Sequence, residues 1–413
     1  MKKRIVITGA GIFACNGKGK EEFWQSLKDG KAGYHQVTAT FDPSQFRTKI
    51  AGEISDFDPT IYMGKKGLRL IDRSGRLILC AGTLCIQDSK FVITEENTDE
   101  VAVSTGSTLG SLRSIAEFDE ITLREGPRYV NPALFPNTVI NAASSQISIW
   151  HNIQGFNSTV STGFTASLDA MLYAYDQIQD GLVKLIYAGG VEEMCIQTFW
   201  GFHSLKFLSG SKPGESFVNC PFDRRRNGIT LGEGAAIIAM EDYQQASERG
   251  ADIMAEIVSF GICFDPFRVN KYNPRGTGLK TAMRRALEGA QLEPKDIDYI
   301  CANANSTVSA DKIETDAIKE VFGEYAYKIP VSSIKSMTGE CFSTSAAFSV
   351  VASLGAIVKD FVPPTINYQE KDPDCDLDYV PNQSRPAHLK NVLIVSFGPS
   401  GQNTCMVLRR FEK

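Results

Sequence analysis

An α/β architecture, with sheets covered on both faces by helices, is what this chain predicts. Three features carry that prediction. Short β-branched runs alternate with longer helical stripes, the strand candidates are apolar along their whole length, and the second half repeats the rhythm of the first. The first strand is "RIVITG" (4–9). The basic start of "MKKRIVITGAG" leads into only a short apolar run and then glycines, which fits a strand and not a signal peptide. A helix over "KEEFWQSLKDG" (20–30) puts Phe23, Trp24 and Leu27 on one face and stops at Gly30. Strands follow at 101–106, 157–162 and 184–190, with helices over 138–151, 166–180 and 276–290. "GAAIIAMED" (234–242) and "AEIVSFGICF" (255–264) are expected to form an antiparallel pair.

The second half gives strands at 298–303, 329–334, 391–398 and 403–411, with helices over 310–322 and 343–358. No Pro/Gly/Ser-rich linker separates the halves, so 1–254 and 255–413 should share one core. The glycine-rich "TGAGIFA" after the first strand has the spacing of a weak dinucleotide fingerprint. Its helix, however, starts later, near Lys20, and no acidic strand end follows at the right distance. The glycines are therefore assigned to close backbone packing.

Composition narrows the function. A net charge of −5, with "RRR" (224–226) as the one arginine triplet, gives no support for nucleic-acid binding. No run approaches the roughly 18 apolar residues of a membrane helix. Ten cysteines without a CxxC pair or a Cys/His metal spacing are expected to be reduced and mostly buried, in a cytoplasmic protein. Neither a metal nor a cofactor is expected. The stretch "VSTGFTASLDAM" (160–171) runs from a strand through a tight turn into a helix, where free N–H groups and a partial positive charge favour a nucleophile. Yet the turn carries Phe164.

Eight further segments, in order along nearly the whole chain, resemble the β-ketoacyl-(acyl carrier protein) synthases. They are "TGAG" (8–11), "FWQSLKDGKAG" (23–33), "IAGEISDFDP" (50–59), "AGGVEEM" (188–194), "PFDRRRNGITLGEGAAIIAMED" (221–242), "KSMTGE" (335–340), "VPPTIN" (362–367) and "SFGPSGQN" (396–403). The resemblance implies a thiolase-like fold: duplicated α/β halves in a five-layered αβαβα arrangement. It also implies a condensation chemistry that needs one Cys nucleophile at a helix N-terminus and two histidines to stabilise an enolate.

All three chemical positions differ here. The family's cysteine falls on Phe164, its "HGTST" histidine on Asn303 of "NANST", and its "KSMTGH" histidine on Glu340. A phenyl ring cannot attack a thioester, and Asn303 cannot exchange a proton near neutrality. An ionised Glu340 would oppose a developing enolate, by roughly 4 kcal/mol at 4 Å and near-surface dielectric. Lys335, Thr307, Asp311, Glu314 and Phe397 match family positions, and Lys335 is placed to pair with Glu340. Ser161, Thr162 and Thr165 lack a histidine base and are expected to bond the backbone at the helix start, and Cys301 and Cys341 to be inert buried thiols.

The loss is similar to that in the chain-length factors of type II polyketide synthases, many of which carry Gln at the cysteine position followed by "LDA". Here Leu168, Asp169 and Ala170 keep that stretch, with Phe164 in place of Gln. The implied role is a catalytically silent subunit in a heterodimer with an active ketosynthase, reaching acyl carrier protein through the complex. The strand at 157–162 would pair across the two-fold axis. Leu112, Ile115 and Phe118 would line the tunnel for the growing chain, or belong to ordinary core. Two alternatives remain: a synthase or malonyl decarboxylase using residues other than Cys and His, and a purely structural partner subunit.

Overall fold

A computed structural model describes residues 3–412; Met1 and Lys2 of the basic start, and Lys413, lie outside the described residues. Its first half supplies β1 (Ile5–Ala14), β2 (Val101–Gly106), β3 (Asn157–Val160), β4 (Leu185–Glu192) and β5 (Gly234–Asp242). The second supplies β6 (Ala255–Phe264), β7 (Tyr299–Cys301), β8 (Val331–Ser332), β9 (Asn391–Phe397) and β10 (Gln402–Arg410). Their spatial order is β8-β7-β9-β10-β6-β1-β5-β4-β2-β3, so each half repeats one order of five strands. The pairing senses repeat as well. β2 lies parallel to β3 and β4, with β4–β5 and β5–β1 antiparallel, and β7 does the same with β8, β9, β10 and β6. The halves join where β1 meets β6, through Ile5–Ile7 against Ala255–Ile257.

The helices make five layers, as the thiolase-like expectation required. Strand residues alternate between faces. Ala102, Ile186 and Ile238 point to a central layer built from α5 (Ala166–Gln179) and α9 (Ser343–Lys359), whose residues 343–357 are all buried. Val103, Tyr187 and Ile237 point outward under α2 (Arg73–Ser89) and α4 (Ala142–His151). On the strands of the second half, Leu393 and Val407 sit under α7 (Thr277–Ala290) and α8 (Val308–Phe322). The remaining helices used below are α1 (Lys20–Lys28), α3 (Leu112–Arg124) and α6 (Ile196–Ser204).

Four expectations change. β5 and β6 are not an antiparallel pair, because β1 lies between them and is antiparallel to both. β1 was expected to end at Gly9 but continues through the glycines to Ala14. A Cβ on Gly11 would sit 2.0 Å from the Ala81 carbonyl oxygen and one on Gly9 2.7 Å from Ser89, so these glycines let α2 lie directly on β1. The strand at 329–334 shrinks to two residues before a short helical turn at Lys335–Thr338. The helix over 138–151 starts at Ala142, after a 3-10 segment at Pro132–Thr138.

The sequence expectations contain no helix at 73–89, although Asp72 caps it by accepting from the Gly75 N–H. All ten cysteines are free, eight of them buried. Among the described residues no helix is long and apolar enough to cross a membrane, and no His/Cys/Asp/Glu group could hold a metal ion.

Candidate functional site

The strand-to-helix turn forms where the sequence places it. β3 ends at Val160, Gly163 takes φ 79°, a 3-10 turn spans Gly163–Thr165, and α5 begins at Ala166. The left-handed φ at Gly163 is what a Cβ would resist. Phe164 then points into the interior, 9% exposed. Its ring packs edge-on against Phe342 at 5.3 Å between centroids, and Phe342 packs on Phe202 at 4.9 Å. Gly398 makes room for the ring, since a Cβ there would lie 3.1 Å from the Cβ of Phe164. Phe164 thus seals a column of aromatic rings at the start of α5.

Two of the three neighbouring hydroxyls, those of Thr162 and Thr165, were expected to bond the backbone and instead serve one carboxylate. Thr162 and Thr165 (2.7 Å) both donate to Asp169, and Thr404 donates to its other oxygen at 2.6 Å. This gives the "LDA" aspartate a structural role: it ties the turn to β10. Cys301 and Cys341 are fully buried, and burial raises both thiols above the ordinary range.

The two positions expected to hold histidines meet in a buried polar cluster. The Lys335 ammonium donates to Asn303 Oδ1 at 2.8 Å and to Glu340 Oε2 at 2.9 Å. Glu340 also accepts from Asn305 Nδ2 (3.0 Å), Ser345 Oγ (2.7 Å) and the Phe342 N–H (3.1 Å). The Asn303 amide donates to the Phe397 carbonyl at 3.1 Å. Lys335 is 4% and Glu340 1% exposed along the side chain, so this is a buried ion pair. Lys335 thus offsets the charge of Glu340, in place of the uncompensated repulsion expected from the sequence, and Asn303 and Glu340 are both bonded to neighbours.

The retained acidic residues fix loops. Glu314 accepts from the Asn303 and Ala304 N–H groups, both at 2.7 Å, and Asp311 from those of Phe222 (2.8 Å) and Asn305 (3.0 Å). Burial pushes Glu314 up to about 8 and Asp311 up to about 6, against the pull of these bonds. Thr307 precedes α8 and donates to Asn305 Oδ1 at 2.8 Å. Phe397 is 2% exposed and meets Tyr272 edge-on at 5.6 Å. The cavity beside Phe397 and Gly398 holds about 10 Å³, at most one water.

Sequence reasoning missed Asn305, Ser345 and Phe342. Phe342 holds φ 48° and ψ −120°, a backbone conformation that costs a bulky residue of order 1–3 kcal/mol. Its N–H bond to Glu340 and its two ring contacts hold it there. Of the tunnel candidates, Leu112, Ile115 and Phe118 lie half-buried on α3. Phe118 lines an open cavity between α2 and α3, whereas Leu112 and Ile115 are not among its lining residues.

Comparison with known proteins adds to this geometry. Residues 2–246 match the family model of the beta-ketoacyl synthase N-terminal domain, and 254–369 that of its C-terminal domain. The chain is 36% identical over 410 residues to 3-oxoacyl-[acyl-carrier-protein] synthase 2 of Coxiella burnetii, covering 99% of both chains. Its structure is similar to that of the ishigamide ketosynthase/chain length factor, with TM-score 0.93 and 31% identity over 100% of both chains. A type II PKS ketosynthase, solved with its acyl-carrier protein and bound to the hexaketide, is similar with TM-score 0.89 and 29% identity over 100% of both.

Proposed function

The chain belongs to the β-ketoacyl synthase family, and we propose that within it the protein is a catalytically silent, chain-length-factor subunit of a type II polyketide synthase. One observation carries the reading: the nucleophile's seat is closed by Phe164, and Asn303 and Glu340, both held by Lys335, stand in place of the enolate-stabilising imidazoles. Elongating a thioester needs a nucleophile and preorganised donors aimed at developing charge. At this site the first is a phenyl ring, and Lys335, Asn303 and Asn305 each donate to protein neighbours. A malonyl decarboxylase using Asn303 and Glu340 meets the same obstacle.

The partner in this reading is an active, cysteine-bearing ketosynthase, with acyl carrier protein reached through the complex. Support comes from β3, the terminal strand at one end of the sheet, and from exposed Phe135, Val139, Ile140 and Ile149 in the segments leading to it. A bare strand edge with apolar neighbours favours association. The similarity to the ishigamide ketosynthase/chain length factor supports the same arrangement.

The test is co-expression with candidate ketosynthases, followed by size measurement and product mass. A 1:1 complex that makes product, with an isolated chain that takes no label from an acyl-carrier substrate, is the expected result. Acylation or elongation by the isolated chain refutes the proposal. Widening the tunnel at Leu112, Ile115 or Phe118 should lengthen the product; an unchanged product with an intact complex would favour a purely structural subunit.

A further inference from the structure

The cavity between α2 and α3 lies apart from the aromatic column and the buried ion pair, and neither needs it. It encloses about 350 Å³, within the size range of small-molecule sites. Its apolar wall is built from Phe57, Leu70, Phe118 and Leu134. Four arginines line it too, and they are not equivalent. Arg73 is engaged by Glu233, at 2.8 Å through its Nε.

Arg69, Arg76 and Arg113 have no ion-pair partner among the described residues. Arg76 donates to the Leu68 carbonyl at 3.0 Å, but its Nε is buried without an acceptor. Arg113 donates to the carbonyls of Thr40 (3.2 Å) and Met194 (3.0 Å). Two carboxylates share the wall. Asp72 is occupied by the Gly75 N–H and the Ser74 and Ser114 hydroxyls, and Glu117 is exposed to solvent. Glu193 accepts from the Arg113 N–H, and burial pushes it up to about 8, so it does little to offset the arginines at neutral pH. A buried donor with no acceptor is a group that a ligand would satisfy, and a guanidinium fork matches a carboxylate.

We propose that this cavity binds an amphipathic carboxylate, its apolar chain along the Phe57–Leu134 wall and its carboxylate on the unpaired arginines. The site shares Phe118 with the tunnel of the chain-length reading, but the proposal rests on the unpaired arginines and not on that reading.

Calorimetric titration of the full-length chain, alone or with the ketosynthase that co-purifies, tests it with three probes: decanoate below its micelle concentration, decanol and acetate. Decanoate should bind saturably, and at least tenfold more tightly than either of the others. Arg69→Gln with Arg76→Gln should weaken decanoate at least tenfold and leave decanol unchanged, Arg76→Lys should recover part of the loss, and Leu134→Trp at the rim should block binding. Should the arginine variants fail to fold, the three-probe contrast on the unaltered chain still decides. No saturable decanoate binding, or equal affinity for decanol, overturns the proposal.

Discussion

Replacing Glu340 by Gln removes one member of the buried ion pair while keeping the side chain's shape. At the observed 2.9 Å, the attraction to Lys335 is about 6 kcal/mol for an effective dielectric of about 20, before desolvation of the two groups is subtracted. Breaking such a pair from one side leaves a buried ammonium with Asn303 Oδ1 as its remaining strong acceptor, a loss of roughly 3–5 kcal/mol. Glu340→Gln also weakens the acceptor that holds the Phe342 N–H, so the strained turn beneath Phe164 should loosen with it. At about 2 °C per kcal/mol for a large domain, the melting temperature should fall by about 6–10 °C in a calorimetric or dye-monitored melt. The partnered change Lys335→Met with Glu340→Gln should cost clearly less than the sum of the two single changes, because it leaves no unpaired charge. A fall below about 2 °C for Glu340→Gln, or additive single and double changes, would refute the reading of this pair as a structural element.

Phe164→Cys should not restore acylation, because a thiol there has no imidazole and faces Phe342. Acyl-thioester labelling followed by intact mass is the check, and the variant should also lose roughly 3 kcal/mol of stability through the cavity it leaves. Glu314, with its carboxyl raised to about 8 in the fold, holds a proton in the folded chain that the unfolded chain releases above its ordinary value near 4.5. Its contribution therefore makes stability fall as pH rises from about 5 to 8, and Glu314→Gln should flatten that slope in denaturant titrations at several pH values. Gly11→Val should abolish soluble expression, since a Cβ would lie 2.0 Å from the Ala81 carbonyl oxygen; a folded, well-expressed Gly11→Val would contradict the close seating of α2 on β1.

Much of the fold could be read from periodicity. α5, α7 and α9 carry apolar stripes at helical spacing, and β5 and β6 span the segments predicted for them. Pairing was not readable, because β1 enters between β5 and β6 from more than two hundred residues away, and no local pattern announces a partner at that separation. α2 escaped notice for the opposite reason. Its middle, Leu77 to Thr83, is buried without a break, and a short continuous apolar run does not by periodicity alone tell a helix from a strand. At the site, residue identity alone located the three altered positions and suggested the Lys335–Glu340 pair. What identity could not supply was the company each group keeps: Asn305 and Ser345 on Glu340, Asp169 collecting three hydroxyls, and the ring of Phe342 over Phe164.

The seam between β1 and β6 has a consequence for how the polypeptide can be divided. Severing the backbone between Glu248 and Ala255 would cut no strand, yet each fragment would be left with a raw flank, Ile5–Ile7 on one and Ala255–Ile257 on the other, and with half of the α5–α9 packing. Neither piece could bury its own inner surface. The two fragments should accordingly behave as a complementing pair, insoluble apart and recovering one another when made together, which would make this junction a natural place to build a reporter of assembly.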